Sequence, residues 1–117
     1  MPADQEEIKS SRAPYRRLRF GAFEADLGVK ELRKSGRQVM LQRKPFQVLE
    51  VLLQAPGRFV SRDELTRTLW PELHVNFDRS LNTAVNALRK ALGDSWRKPR
   101  YVETRPGQGY RLIAPVE

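Results

Sequence analysis

The hydrophobic pattern of this chain changes period twice, and the order of those periods restricts the fold more than any other feature. From Tyr15 to Leu41 the apolar residues alternate in short runs: Leu18, Phe20 and Ala22, then Leu27, Val29 and Leu32, then Val39 and Leu41. A period of two marks half-buried strands, and Ser35-Gly36 is a turn signal, so three or four short antiparallel strands are predicted. From Arg43 the period becomes helical. Phe46, Leu49, Leu52 and Leu53 mark one face, broadened by Val48 and Val51; Pro45 falls in the first turn and Pro56-Gly57 stops the helix. Ser61 and Glu64 have the capping-box spacing before a second, short helix, in which Leu65, Leu69 and Trp70 face inward and which Pro71 ends. Asp78 is the predicted cap of a third helix. Its Leu81, Val85, Leu88 and Leu92 span about 60° of a helical wheel, and Gly93 closes it. A basic loop, Asp94 to Arg100, leads back to period two: a strand from Tyr101 to Thr104, a turn Arg105-Pro106-Gly107-Gln108-Gly109, and a return strand from Tyr110 to Ala114. Met1 to Pro14 has no periodicity and reads as a disordered leader, leaving 15–117 as the domain. The class is α+β: an N-terminal antiparallel sheet, three helices and a C-terminal β-hairpin.

A chain of 117 residues is one domain with room for a proper core. It contains no cysteine and a single histidine, His74. Disulfide scaffolds, cysteine-ligated zinc, iron–sulfur sites, cysteine nucleophiles and multi-histidine metal sites are therefore out of reach, and no metal or cofactor is expected. No apolar run exceeds three residues, so nothing spans a bilayer, and Met1–Lys9, with three acidic residues, is not a secretory signal. The expected compartment is the cytoplasm.

Charge is the remaining lever. Sixteen of the 22 basic residues are arginine, whose planar fork grips phosphate or a guanine edge with two parallel hydrogen bonds. Residues 79–111 hold eight basic residues and two acidic ones, a local net charge of +6 out of +8 for the chain. A basic third on a near-neutral remainder is the electrostatic footprint of a nucleic-acid binder, although a solvated basic surface has the same composition.

The third helix narrows the choice. Opposite its apolar stripe stand Arg79, Thr83, Asn86 and Lys90, with Asn82 and Arg89 on one flank and Ala84 and Ala87 on the other. That outward face has no Asp or Glu, whereas ordinary solvated helix faces mix signs. Asn, Thr, Arg and Lys bond base edges and phosphates, and alanine allows close approach to a thymine methyl. A short capped helix followed by such a helix is the helix–turn–helix order, here with a longer loop, Pro71 to Phe77.

Taken together, "LQRKPFQVLEVLL", Pro56-Gly57, "VSRDELTRTLW", "SLNTAVNALRKALGD" and "YVETRPGQGYRL" resemble the winged-helix effector domain of OmpR/PhoB-type bacterial response regulators, and more nearly that of receiver-lacking regulators of the CadC and ToxR kind. The resemblance runs from about Tyr15 to Val116. It implies sequence-specific binding of double-stranded DNA in transcriptional control, with the third helix in the major groove and the hairpin wing on the adjacent minor groove or backbone. By position it implies base reading by Arg79, Thr83, Asn86, Ala87 and Lys90. It implies backbone contacts from Trp70, Asn82, Arg89, Thr104, Tyr110 and Arg111, and wing contacts from Arg105 and Gln108. Pro71, Glu72, Leu73, His74, Val75, Asn76 and Phe77 would form a surface for RNA polymerase or a neighbouring protomer. Direct-repeat half-sites and a head-to-tail dimer on DNA are implied too. One departure stands out. Relatives often carry a basic residue before the first wing glycine or between the two, where this chain has Pro106 and Gln108; its arginine is at 105, free either to enter the minor groove or to lie along the backbone.

Two other classes fit the residues less well. For an enzyme, His74 has no serine or cysteine partner, Asp63 and Glu64 are accounted for by capping and the helix dipole, and Gly107-Gln108-Gly109 is not followed by the helix a dinucleotide fingerprint requires. No catalysis is expected. A winged helix used for protein docking or RNA binding would expose apolar residues on its third helix, and this one exposes Arg, Asn, Thr and Lys. Nothing in the sequence senses a signal, so the chain reads as the N-terminal piece of a longer regulator, with any membrane span in parts not included here.

Overall fold

The computed structural model describes residues 17–72 and 77–117. The leader 1–14 and the loop residues Leu73, His74, Val75 and Asn76 lie outside them. Of the three or four N-terminal strands expected, four form: β1 (Arg17–Phe20), β2 (Phe23–Asp26), β3 (Glu31–Lys34) and β4 (Arg37–Val39), paired antiparallel in chain order. Three helices follow, α1 (Arg43–Leu53), α2 (Arg62–Leu69) and α3 (Asp78–Leu92), and then the hairpin β5 (Val102–Arg105) and β6 (Gly109–Leu112).

The alternation expected through Ala22 does not hold. Phe20 pairs with Phe23 across a two-residue turn, so both rings are buried while Ala22 is exposed at the turn itself. A two-residue hairpin resets the phase of burial, because the flanking residues face each other across the strands instead of alternating. Gly21 takes φ +60°, which a side chain would resist. Ser35 and Gly36 both have positive φ, as a tight hairpin turn between β3 and β4 requires.

The helices pack on one another through the predicted apolar faces: Phe46, Val48, Leu49, Leu52 and Leu53 of α1, Leu65 and Leu69 of α2, and Leu81, Val85, Leu88 and Leu92 of α3 are all buried. The capping box forms as spaced. Ser61 Oγ accepts from the Glu64 N–H (3.0 Å) and Glu64 Oε1 accepts from the Ser61 N–H (3.3 Å). Asp78 does not cap α3. It is the first helical residue, Phe77 holds the cap position without a side-chain bond, and the Asp78 carboxylate accepts from Arg62 instead (3.2 Å). Gly93 ends α3 in the left-handed conformation, φ +65°.

Two seams join the sheet, helices and hairpin into one body. Val60 and Tyr110 exchange both backbone hydrogen bonds (2.7 and 2.9 Å), so the residue just ahead of the Ser61 cap bridges to the hairpin beside β6. Tyr101, which precedes β5, stands edge-on to Phe20 and Phe23 at 5.9 and 5.3 Å, tying the hairpin's entry to the N-terminal sheet. The chain's last residues pair with β1: Arg19 and Glu117 exchange backbone bonds of 3.0 and 2.8 Å.

Candidate nucleic-acid interface

The site is built on α3. A 15-residue helix is about 22 Å long, enough to cross a major groove roughly 12 Å wide. Burying Leu81, Val85, Leu88 and Leu92 leaves Arg79, Asn82, Thr83, Asn86 and Lys90 exposed, so the structure brings five of the predicted residues together on the outer face. The Thr83 hydroxyl donates to the Arg79 carbonyl (3.0 Å). Neither Arg79 nor Lys90 enters an ion pair among the described residues. Ala87 is half-buried at the edge of the strip.

Two flank residues go inward. Ala84 is buried in the core, and Arg89 is only 8% exposed. Arg89 Nη2 donates to the Val102 carbonyl (3.1 Å) and to the Thr104 hydroxyl, linking α3 to β5. Its Nε has no hydrogen-bond partner among the described residues, and burial lowers the guanidinium's pKa from its ordinary value. The Asp94 carboxylate, just past α3, accepts from the backbone N–H groups of Arg100, Tyr101 and Val102 (2.8, 3.2 and 2.9 Å) and so fixes the loop that launches the hairpin.

The remaining predicted contacts are partly engaged inside the domain. Tyr110 is buried and its hydroxyl accepts from Arg62 Nη1 (2.5 Å); Thr104 is exposed but holds Arg89. Trp70 is half-buried and stacks flat on Phe77 (4.7 Å, 4° between planes), so one ring pair spans the base of the α2–α3 loop. The Lys44 ammonium lies 5.3 Å from the Trp70 ring and donates to the Leu69 carbonyl (2.5 Å) at the end of α2. Pro71 and Glu72 are exposed. At the wing, Arg105 and Gln108 are exposed, and Arg111 Nε donates to Glu103 (2.6 Å).

Four residues absent from the predicted set shape the site. Arg62 bonds both Tyr110 and Asp78, so a single guanidinium pins α2, the start of α3 and β6 together. Phe59 lies under the Arg105 and Arg111 guanidiniums at 4.8 and 4.5 Å, and Glu103 accepts from both arginines. Lys44 braces Trp70. Only Glu103 left a trace in the sequence, as one of two acids in the basic third.

Residues 36–112 match the family described as "Transcriptional regulatory protein, C terminal". The chain is 39% identical over 85 residues to transcriptional regulator HilA of Salmonella typhi, covering 73% of this chain and 15% of HilA. The DNA-binding domain of Klebsiella pneumoniae RstA in complex with the RstA box superposes with a TM-score of 0.73 at 26% identity, covering 83% of this chain and 96% of that one. The DNA-binding domain of E. coli CadC does so with a TM-score of 0.73 at 28% identity, covering 86% and 94%. The chain thus spans about a seventh of HilA and nearly the whole of the isolated DNA-binding domains. Among the described residues, no helix is long and apolar enough to cross a membrane.

Proposed function

The chain belongs to the transcriptional regulatory C-terminal family, of the OmpR/PhoB winged-helix type, and on that premise we propose how it engages a duplex. It is a sequence-specific DNA-binding effector domain of a transcriptional regulator. α3 lies in the major groove with Arg79, Thr83, Asn86, Ala87 and Lys90 toward the base edges, and the wing, with Arg105 and Gln108 near its tip, meets the adjacent minor groove and backbone. Asn82, Thr104 and Trp70 approach phosphates; Arg89 and Tyr110 hold the helix and wing that do so. The observation that carries this reading is the outer strip of α3: two cations without ion pairs flank Thr83 and Asn86, and no acid stands among them.

The same reading extends to assembly. One α3 reads only a few base pairs, so two copies on direct-repeat half-sites, head to tail, supply a longer site. The segment from Pro71 to Phe77 is the part offered to RNA polymerase or the neighbouring copy. No reaction is assigned: Asp63 pairs with Arg67 (3.0 Å) and Glu64 caps α2.

Selection of bound duplexes from a random library tests the proposal and returns site, spacing and stoichiometry together. On the selected site Asn86→Ala should cost roughly 1–3 kcal/mol and relax the preference at one position. Unchanged base preference in that variant would refute the assignment of the reading face.

A further inference from the structure

The wing's arginines, unlike Arg79 on the outer face of α3, are held by an acid. Glu103 on β5 stands directly opposite Arg111 on β6. One carboxylate oxygen accepts from Arg111 Nε at 2.6 Å and the other from Arg105 Nη2 at 3.3 Å. Both guanidiniums lie over the Phe59 ring, at 4.8 and 4.5 Å from its centre, which limits where they can swing. The Arg111 hydrogen bond is the main reason the Glu103 carboxyl sits below the usual 4.5, so the acid is ionised at neutral pH. By contrast Arg79, Lys90, Lys98 and Arg100 enter no ion pair among the described residues. The molecule therefore carries two kinds of cation: open ones along and just beyond α3, and neutralised ones on the wing.

A carboxylate and a phosphate present arginine with nearly the same pair of acceptor oxygens. We propose that Glu103 is an internal substitute for phosphate that keeps Arg105 and Arg111 off DNA until α3 is seated, which makes it a specificity-determining residue. Duplex held loosely by the α3 cations offers phosphates in no fixed register. None of them displaces a carboxylate bonded to both arginines, and Glu103 itself repels them. When α3 reads its site the wing is brought against the backbone in a fixed register, and phosphates replace Glu103 at the two guanidiniums, one at each. Wing contacts then add to specific binding and are withheld from non-specific binding. The inference rests on the DNA-binding reading above.

The test is duplex binding by the full 117-residue chain and its Glu103→Gln variant as a function of salt, on a selected site and on an unrelated duplex. Each phosphate contact adds about 0.9 to the slope of log affinity against log salt. In Glu103→Gln the slope on unrelated duplex should steepen by up to about 1.8. That is an extra loss of about twelvefold between 50 and 200 mM salt, on top of a raised affinity at low salt. The slope on the selected site should stay near that of the unmodified chain, so the specificity ratio falls. Glu103→Thr, a residue suited to a strand, should act in the same direction, and thermal melting establishes that both variants are folded. A slope on unrelated duplex equal to that of the unmodified chain, or affinity raised equally on both duplexes, overturns the inference while leaving the DNA-binding reading intact. An unmodified chain whose duplex binding ignores salt overturns that reading itself.

Discussion

Arg89 supplies the sharpest test of how this domain is put together. Its position in the family pattern suggests a phosphate contact, yet the side chain is 8% exposed and its fork serves Val102 and Thr104 on β5. Two hydrogen bonds from a charged donor contribute about 1.5–3 kcal/mol each. Against them stand the desolvation of the guanidinium and the unpartnered Nε, so the net loss in Arg89→Ala should be about 2–3 kcal/mol. For a domain of this size that lowers the melting temperature by roughly 10–20 °C. Arg89→Met keeps the apolar stem, removes the fork without stranding a charge, and should be milder, at about 1–2 kcal/mol. On DNA, both variants should weaken specific binding because β5 and the wing lose their tie to α3. Their salt slopes should match that of the unmodified chain, whereas a lost phosphate contact would flatten the slope by about 0.9. Differential scanning calorimetry and salt-dependent fluorescence anisotropy separate the two roles. An Arg89→Met protein that melts like the unmodified one, with a slope flattened by nearly one, would refute the positioning role.

Lys90→Ala is the counterpart on the open strip: stability should stay within about 0.5 kcal/mol, while affinity for the selected site falls by roughly 1–3 kcal/mol and base preference relaxes at one position, read by the same anisotropy titration on matched and altered sites. Gly109→Ala should destabilise by about 3 kcal/mol or more. The residue sits at φ +114° and a Cβ there would lie 2.0 Å from the Val60 carbonyl oxygen, so a clash adds to backbone strain; urea unfolding measures it. For pH, Glu103 is held below 4.5 chiefly by its hydrogen bond from Arg111. A carboxylate with a depressed folded-state pKa stabilises above its unfolded value and loses that contribution as pH falls through the folded value. The melting temperature of the unmodified chain should therefore approach that of Glu103→Gln as the pH falls below 4.5 through the depressed folded-state value, and a gap that stays constant through acidification counts against the pairing.

The fold was legible because its determinants are local and periodic. Leu81, Val85, Leu88 and Leu92 cannot be buried together except as one helix face, and Ser61 with Glu64 can satisfy each other only across a first helical turn. What escaped the pattern was set by tertiary partners. Asp78 has the side chain of a cap but meets Arg62, so the helix starts one residue earlier in its geometry. Ala84 and Arg89 lie on opposite flanks of the wheel, where the burying wall can turn either way; β5 comes close enough to hold Arg89, and Ala84 is buried as well. Gly109 reads as a turn glycine, and the turn does need it, but its tightest constraint is the backbone of Val60, 49 residues earlier. No local signal carries such a contact. The Phe59 ring under two arginines was hidden for the same reason, since its neighbours come from strands more than 40 residues away.

Those misses share a direction that bears on mechanism. The arginines that sequence pattern assigns to the duplex divide by what the fold does with them. Arg79 stays open, Arg89 becomes part of the α3–β5 joint, and Arg105 and Arg111 are held by an acid on their own hairpin. An exposed cation contributes to DNA binding in proportion to the phosphates it neutralises. A buried one contributes by fixing geometry, and its removal costs stability before affinity. Composition counts all of them alike, so a tally of sixteen arginines does not say how many are open to a phosphate. In the proposed reading the α3 strip supplies the attraction to an arbitrary duplex. The angle between α3 and the wing, set by Arg62 through Tyr110 and Asp78 and by Arg89 through Val102 and Thr104, would then decide which duplex the wing can reach.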